Sequence, residues 1–305
     1  MRKALLMTLG SIVSMQLGSS LAKTVFPTVG PLAMAWLRLI AAGAILAIIV
    51  RPRLRGHSRQ DWLALAWYVL ALAGMNVTFY QAIARIPIGL TVTIEFLGPL
   101  VVALLKARGL RDLPWIGLAG VGVVILGWSP GSANWAGIGF SVLAAICWGA
   151  YILAAPHVGR HWHGAEPVAW ANLTGAVVLT APVLMLDHER LNQPWIWGAG
   201  LGVALLSSVL PYALELHILR TLDQRIFSIL MSLEPAFAAL FALLILGEAL
   251  TPVELVAMAC VIVASAGITW SVAEGPTARR ATKMGTETKE VTQDEPEPRS
   301  DAAVG

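Results

Sequence analysis

Four charged side chains lie inside long apolar segments of the sequence: Arg38, Glu95, Glu215 and Glu234. A charged residue at the centre of a membrane helix costs roughly 2.5–3.5 kcal/mol on insertion scales, so it usually faces a cavity or a partner. A buried carboxylate can bind an ammonium group or carry a proton, and an arginine can bind a carboxylate. These residue types therefore indicate a buried site for a small zwitterion.

The charges in these segments do not balance. One arginine cannot neutralise three glutamates, so at least one glutamate is expected to hold a proton in some state. This predicts proton coupling, with Glu95 or Glu234 as the proton carrier. Arg38 and Glu95 lie at the same estimated depth in their segments and could pair. Such a pair is either a structural bridge between two helices or part of a direct substrate site.

Prolines interrupt the same segments. Pro99 and Pro235 each remove the N–H that the carbonyl four residues earlier would need, at Glu95 and at Met231. Freed backbone groups are tolerated at membrane depth where protein or water satisfies them. We therefore expect both kinks to border a cavity, and Pro211 to form a third kink. The alternative is a kink that serves packing alone.

Ten polar candidates for the site fall into two layers. The outer halves of their helices are predicted to hold Gln16, Arg38, Asn76, Tyr80 and Glu95. The inner halves are predicted to hold Trp148, Tyr151, Tyr212, Glu215 and Glu234. Trp148 and Tyr151 could instead be anchors at the membrane interface, and Glu215 could reach cytoplasmic water.

The composition explains why such residues stand out. Of 305 residues, 57% are hydrophobic and 13% are charged, with a mean hydropathy of +0.72. Soluble domains carry about 25% charged residues, so the chain is predicted to be an all-α polytopic membrane protein. Cys147 and Cys260 lie in apolar segments and are expected to be small core residues without a disulfide. The net charge of +3 comes from loops and does not indicate a nucleic-acid surface.

Apolar runs of roughly 17–25 residues predict transmembrane helices. Ten are found, at 4–21, 31–50, 62–81, 88–105, 114–128, 137–155, 167–186, 195–218, 226–246 and 252–272. With the N-terminus in the cytoplasm, inner connections carry twelve lysines and arginines and outer connections carry three. This bias predicts that both termini are cytoplasmic. Reading the first run as a signal peptide is the alternative, and residues 273–305 are predicted to form a disordered cytoplasmic tail.

The two halves of the chain correspond when the sequence is shifted so that Pro99 falls on Pro235. The same shift places Asn76 on Tyr212. Because each half holds five predicted helices, the second must enter the membrane inverted, as in many secondary transporters. The expected domains are a first five-helix repeat over 1–128 and a second over 137–272. Coincidence in a chain rich in glycine and proline is the alternative.

Seven segments together carry a family resemblance: SLAKTVFPTVG (20–30), GMNVTFYQAI (74–83), EFLGPLVVALL (95–105), CWGAYIL (147–153), LPYALE (210–215), LMSLEPA (230–236) and LGEALTP (246–252). The chain resembles the EamA family of the drug/metabolite transporter superfamily over about residues 4–272, and most resembles its threonine/homoserine exporters of the bacterial inner membrane. The resemblance implies ten helices in two repeats, a central cavity, and efflux of a small amino acid driven by the proton gradient. The tail and the loop HVGRHWH (157–163) depart from the family pattern.

On this reading Arg38 would bind the substrate carboxylate, and Glu95 with its freed carbonyl would take the ammonium group. Asn76 and Tyr80 share a helix face and could read a side-chain hydroxyl. The alternative transporter exports another metabolite, such as an aromatic amino acid or an organic cation.

A membrane enzyme is a remote alternative. His161 and His163 have no third ligand at zinc spacing, and no nucleophile motif occurs, so no metal or cofactor is expected. The predicted partners are the amino acid, protons and the lipid bilayer, without nucleic acid. The sequence leaves open whether the protein is a monomer or a homodimer.

Overall fold

The computed structural model describes residues 2–53, 56–106, 113–127, 134–186, 191–218, 222 and 224–274. Every regular element within these ranges is helical. Among the described residues, eight helical segments are long and apolar enough to cross a membrane, and two of these, Pro194–Glu215 and Ile226–Leu246, contain an interruption. Two shorter apolar segments cover Ile88–Ala103 and Leu113–Gly122. The prediction of an all-helical polytopic membrane protein is thereby confirmed.

Local sequence signals set the limits of the helices in the first half of the chain. These helices are α1 (Arg2–Val29), α2 (Pro31–Val50), α3 (Arg59–Ile83), α4 (Ile88–Glu95), α5 (Leu97–Lys106) and α6 (Leu113–Gly127). Gly30 separates α1 from α2 with a φ of 83°, which glycine adopts without steric cost, and Pro31 follows as the first helical residue. Ser58 starts α3 through a capping box, in which Ser58 Oγ accepts from the Asp61 N–H at 3.2 Å and Asp61 Oδ2 accepts from the Ser58 N–H at 2.8 Å.

The second half of the chain is also built from helices, and one of its connections is a π turn. Its helices are α7 (Trp135–Val158), α8 (Glu166–Leu186), α9 (Pro194–Ala204), α10 (Leu210–Ile218), α11 (Gln224–Met231), α12 (Glu234–Leu246) and α13 (Pro252–Glu274). Between α9 and α10 lies a single π turn, Leu205–Val209, in which the Leu210 N–H donates to the Leu205 carbonyl five residues earlier. We refer to this segment as the π turn.

Several predicted spans differ from the observed helices. The span predicted over 4–21 is too short, because α1 continues through Pro27 to Val29. The spans predicted over 88–105 and 226–246 are each interrupted, at Phe96 and at Ser232–Leu233. Proline has no N–H for the helical ladder, so α5 and α12 begin anew with Pro99 and Pro235 in their first turns. The sequence predicted kinks at these points, and the structure has helix ends and new starts.

Some predictions concern residues outside the described ranges. α13 continues to Glu274, so the predicted tail begins later than residue 273, and its remainder lies outside the described residues. The loop arginines Arg55, Arg108, Arg111, Arg190 and Arg220, which contribute to the topology prediction, also lie outside them.

Helices of the first half pack on helices of the second half. The main contacts join α3 with α7, α2 with α8, α6 with α13, α4 with α12, and α1 with both α10 and α12. Gly89 allows α4 to approach α12 closely, because a Cβ at this position would lie 2.7 Å from Ala239 Cβ. Small residues at such crossings are a common way for membrane helices to gain packing contacts.

One end of the bundle is closed by a continuous core. This core includes Phe26, Val29, Ile83, Ile88 and Ile196, and it joins helices of both halves. The ion pair Lys23–Glu248 lies at the same end. Lys23 Nζ also donates to the Ile86 carbonyl at 2.9 Å, and Glu248 Oε2 accepts from the Ile88 N–H at 3.0 Å.

At the opposite end of the bundle, two of the apolar clusters are separate from this core and from each other. One joins α3, α7 and α8 around Leu65, Tyr68 and Trp162. The other joins α1, α10 and α11 and includes Ala4 and Ile218. The core is therefore divided at this end and undivided at the end that carries Lys23 and Glu248.

Candidate functional site

A cavity of about 230 Å³ lies between the two halves of the chain. The first half contributes Met15, Gln16, Ser19, Arg38, Leu72, Met75, Asn76, Phe79, Val92 and Glu95. The second half contributes Trp148, Tyr151, Val168, Asn172, Ser207, Ser208, Pro211, Tyr212, Glu215, Met231 and Glu234. Drug-sized ligands occupy pockets of roughly 300–1,000 Å³, so this smaller volume suits a small metabolite.

The structure brings together nine of the ten polar residues that the sequence singled out. Tyr80 is the exception: it is fully buried and does not line the cavity. Its ring centroid lies 5.7 Å from that of Phe26 and 5.6 Å from Arg38 Cζ. Tyr80 therefore lies behind Arg38, where its ring can support the guanidinium through a cation–π contact.

Arg38 enters the cavity from α2 and is held by the π turn. Its Nε donates to Ser208 Oγ at 2.9 Å, and its Nη2 donates to the Ser207 carbonyl at 3.0 Å. The ion pairs within 4.0 Å among the described residues do not include Arg38 with Glu95. The pair that the common depth of these two residues suggested is therefore not formed, because Arg38 is turned toward the second half of the chain.

The π turn supplies acceptors because Pro211 follows it. The Leu206 carbonyl accepts from Ser14 Oγ of α1 at 2.6 Å, and the Ser207 carbonyl accepts from Arg38 of α2. Both donors come from the first half of the chain. Pro211 was predicted to kink its helix, and the structure places it on the cavity wall as the second residue of α10, two residues after the end of the π turn.

Glu234 is the first residue of α12, and it is buried together with Gln16 of α1. Gln16 Nε2 donates to Glu234 Oε1 at 2.9 Å. The remaining acceptors, Glu234 Oε2 and Gln16 Oε1, are buried and have no hydrogen-bond partner in the part of the chain that the structure describes. Unsatisfied buried acceptors are costly, so this pair offers a place for a donor such as an ammonium group.

Glu95 is the last residue of α4 and is 6% exposed. It lines the cavity and accepts no hydrogen bond from any of the described residues. The carbonyl of Glu95 is the one that Pro99, lacking an N–H, leaves without its helical donor. Glu215 is less buried, and its Oε1 accepts from Ser11 Oγ at 3.1 Å.

Two asparagines present their side chains in the same way. Asn76 Nδ2 donates to the Leu72 carbonyl at 2.8 Å, and Asn172 Nδ2 donates to the Val168 carbonyl at 2.7 Å. Because each amide N–H₂ is turned to its own helix, each Oδ1 remains as an acceptor for a hydroxyl or ammonium donor. Sequence reasoning missed Asn172, although an asparagine within the apolar run 167–186 was a signal that could have found it.

The aromatic candidates form part of the cavity wall. Trp148 packs edge-on against Phe96, with ring centroids 5.0 Å apart, and Tyr151 packs against Tyr68 at 5.0 Å. The Tyr212 hydroxyl donates to the Gly164 carbonyl at 3.3 Å. Trp148 and Tyr151 therefore face the protein interior, which argues against the alternative that they are membrane-interface anchors.

Three serines of the wall were also missed. They are Ser19 of α1 and Ser207 and Ser208 of the π turn. Serine is common in membrane helices, and its hydroxyl often bonds to its own helix, as Ser207 Oγ does to the Val203 carbonyl at 2.7 Å. Nothing in the local sequence separates a cavity serine from such a residue.

The charges of the cavity wall fit a zwitterion. Among the lining residues Arg38 is the one cation, and Glu95, Glu215 and Glu234 are the acids. A guanidinium and buried carboxylates in one small cavity can hold a carboxylate and an ammonium group of the same molecule. The surplus of acids leaves a position for a proton.

Known proteins resemble this chain over most of its length. The threonine/homoserine exporter RhtA of Escherichia coli (strain K12) is 38% identical over 268 residues, which cover 86% of this chain and 90% of that exporter. RhtA of Salmonella typhimurium (strain LT2) is 36% identical over 278 residues, covering 89% and 93%. An uncharacterized transporter, sll0355, of Synechocystis sp. (strain PCC 6803) is 27% identical over 272 residues, covering 79% and 82%.

A solved crystal structure of another protein shares the fold. It aligns with a TM-score of 0.60 at 20% identity and covers 90% of this chain and 99% of that chain. The EamA-like transporter family matches residues 135–270 of this chain. With the identity to the curated exporters extending over both halves of the sequence, the chain belongs to the EamA-like transporter family.

Proposed function

We propose that this protein exports threonine and homoserine from the cytoplasm across a bacterial inner membrane. The observation that carries the proposal is 38% identity over 86% of the chain to a threonine/homoserine exporter. The cavity supports it independently, because its wall carries one arginine and three glutamates around a space suited to a small zwitterion.

The substrate carboxylate binds Arg38 in this proposal. The ammonium group binds Glu234 Oε2 and Gln16 Oε1, since both oxygens are buried and no described residue donates a hydrogen bond to them. The sequence had assigned the ammonium group to Glu95, but the hydrogen-bonded pair Glu234–Gln16 offers two buried acceptors that no described residue satisfies. The hydroxyl of the substrate then donates to Oδ1 of Asn76 or Asn172, which accepts no hydrogen bond from the described residues because each Nδ2 is turned to its own helix.

Export is driven by the proton gradient in this proposal, with Glu95 as the proton carrier. Its carboxylate accepts no hydrogen bond from the described residues and lies at the carbonyl end of α4, where a negative charge is opposed by the helix dipole. Protonation therefore stabilises Glu95 more than it stabilises Glu234 when no cation occupies the site.

Ten transmembrane helices in two inverted repeats, over 1–128 and 137–272, complete the proposal. The limits of the helices support this arrangement. When the first half is shifted so that Pro99 falls on Pro235, α2 falls on residues 167–186, and the observed α8 is Glu166–Leu186. The same shift places α4 on residues 224–231, which are the limits of α11. The packing is also reciprocal, since α3 contacts α7 in the way that α10 contacts α1. Inverted repeats of this kind surround the substrate sites of many secondary transporters.

Both termini face the cytoplasm in this topology, as the loop charges predict. The undivided core and Lys23–Glu248 then close the outer end, whereas the cavity reaches Val168 and Glu215 near the inner end. A cavity in this position suits loading from the cytoplasm, which export requires. A periplasmic reporter fused after Ala273 should be inactive, and activity there would contradict the even number of spans.

A growth-rescue screen tests the proposed function. Cells that overexpress the protein are challenged with inhibitory concentrations of threonine, homoserine, aromatic amino acids and cationic drugs. Resistance to threonine and homoserine alone is the expected result, and it should disappear with Arg38→Lys, because a point charge does not replace the planar guanidinium. Resistance only to aromatic amino acids or cationic drugs would contradict the proposal and favour another exporter of the family.

A further inference from the structure

We propose that the π turn, Pro211 and Tyr80 form a positioning device that sets Arg38 to receive the substrate carboxylate. The inference rests on the proposed function and adds the residues that determine its specificity for carboxylates. Three observations support it: Pro211 has no N–H, one side of the Arg38 guanidinium is already bonded to the π turn, and the Tyr80 ring lies behind the guanidinium.

The missing N–H comes first. In a regular helix the Ser207 carbonyl would accept from residue 211, which is proline and has no N–H. The Leu206 carbonyl would accept from Leu210, but that N–H donates to Leu205 instead. Two neighbouring carbonyls at membrane depth therefore lack their helical donors, and an unsatisfied backbone group there costs several kcal/mol.

Side chains of the other half of the molecule satisfy these carbonyls. Ser14 Oγ donates to Leu206 at 2.6 Å, and Arg38 Nη2 donates to Ser207 at 3.0 Å. Arg38 Nε donates to Ser208 Oγ at 2.9 Å. π turns of this type occur often at functional sites, and here the turn converts a helix wall into an acceptor surface for arginine.

The orientation of the guanidinium follows from which atoms are occupied. Nε and Nη2 form one side of the planar fork, and both are bonded to the π turn. The Nη1–Nη2 end keeps its outward N–H groups, and this end can bind a carboxylate in a bidentate manner. Arg38 lines the cavity, so the free end is available to a ligand there.

Tyr80 supports the guanidinium from behind the cavity wall. Its ring centroid lies 5.6 Å from Arg38 Cζ, and its side chain is fully buried. The hydroxyl of Tyr80 has no hydrogen-bond partner among the described residues, so the ring rather than the hydroxyl carries the interaction. Tyr80, Ser208 and Pro211 are thus positioning residues that act through Arg38.

Pro211→Ala gives the sharpest test because it adds an N–H and removes little else. The new N–H can take the Ser207 carbonyl and release Arg38. The matched control is Pro156→Ala, since Pro156 also lies inside a helix but is exposed and away from the cavity. Purified full-length proteins in liposomes are assayed for counterflow of labelled threonine and for its inhibition by threonine and by threoninamide, which lacks the carboxylate.

Pro211→Ala should raise the threonine concentration for half-maximal counterflow about tenfold, as expected for loss of an oriented charged hydrogen bond. Inhibition by threoninamide should change less than twofold, and the maximal rate should be preserved. Equal loss for both ligands would indicate a general structural defect and overturn the inference, as would unchanged threonine affinity. Failure of the wild-type protein to transport threonine would instead contradict the proposed function.

A second set of variants keeps the test decisive if Pro211→Ala does not fold. Tyr80→Phe should retain threonine affinity and Tyr80→Leu should lose it, because the ring alone is needed. Ser208→Thr should likewise retain the acceptor that Ser208→Ala removes. Loss of affinity in Tyr80→Phe equal to that in Tyr80→Leu would overturn the role of the ring.

Discussion

Two helix interruptions hold buried glutamates in opposite orientations. In the first half, α4 ends at Glu95 and α5 starts after Phe96. In the second half, α11 ends at Met231 and α12 starts at Glu234. The prolines of the two interruptions, Pro99 and Pro235, occupy equivalent positions in the two halves, but the glutamates do not, since Glu95 corresponds to Met231.

This difference gives the two carboxylates different electrostatic environments. The N-terminus of a helix carries a partial positive charge and the C-terminus a partial negative one. Glu234 lies at the N-terminus of α12 and also accepts from Gln16, so its negative charge is supported. Glu95 lies at the C-terminus of α4, and none of the described residues donates a hydrogen bond to its carboxylate. The comparison suggests one charged binding group and one proton carrier.

The largest expected effect is that of Glu234→Gln. Removing one partner of a buried charge interaction costs about 3–5 kcal/mol, so threonine binding should weaken by a factor on the order of 100 or more. Gradient-driven accumulation and counterflow should both fail. The control is Glu254→Gln, which changes a half-buried first-turn glutamate of α13 that does not line the cavity. Counterflow that survives Glu234→Gln would remove the distinction between the two glutamates.

Glu95→Gln should affect only coupling. Because glutamine resembles a protonated glutamate, this variant should exchange labelled threonine across liposome membranes at a rate near that of the wild type. Accumulation against a threonine gradient, driven by an imposed pH difference, should be lost. A Glu95→Gln protein that still concentrates threonine would mean that the proton carrier lies elsewhere.

Gln16→Leu should have a smaller effect that is confined to the second interruption. The substitution removes the donor to Glu234 Oε1 and the acceptor Gln16 Oε1. A hydrogen bond to a charged group contributes about 1.5–3 kcal/mol, so the threonine concentration for half-maximal counterflow should rise by at least about tenfold. The ratio of gradient-driven threonine accumulation to threonine counterflow should stay as in the wild type. A change in that ratio would mean that Gln16 takes part in proton coupling.

Asn76→Ala should have the smallest effect, on selectivity. A neutral hydrogen bond contributes about 0.5–1.5 kcal/mol, so preference for threonine over valine should fall by about 2- to 13-fold. Asn172→Ala is the matched variant, since both asparagines present Oδ1 in the same way. The substitution with the larger loss identifies the hydroxyl partner, and unchanged selectivity in both would exclude amide recognition of the hydroxyl.

The sequence predicted the charged part of the cavity well, for a physical reason. Placing a glutamate or arginine in an apolar membrane segment costs so much free energy that the residue type alone indicates a nearby cavity or partner. Tyr80 shows the limit of such reasoning. A spacing of four residues on a helix rotates a side chain by about 40°, which suffices to leave Asn76 on the wall and Tyr80 behind it.

The π turn shows a second limit. Pro211 signals a disturbed helix, but the shift from an i−4 to an i−5 bond depends on donors from distant helices. Ser14 and Arg38 are 192 and 169 residues away from the carbonyls that they satisfy. Likewise, Arg38 does not pair with Glu95 because its guanidinium is bonded to Ser207 and Ser208. The depth of the two residues in the membrane, estimated from the sequence, does not reveal this contact.

Recognition of hydroxyl-bearing amino acids by this cavity can be measured by counterflow of labelled threonine in liposomes that contain the purified full-length protein. We expect uptake into liposomes preloaded with threonine or homoserine, weaker uptake with valine inside, and none with Glu234→Gln. Uptake that is indifferent to these amino acids, or that persists at the wild-type rate in Glu234→Gln, would contradict the claim that this cavity recognises and exports hydroxyl-bearing amino acids.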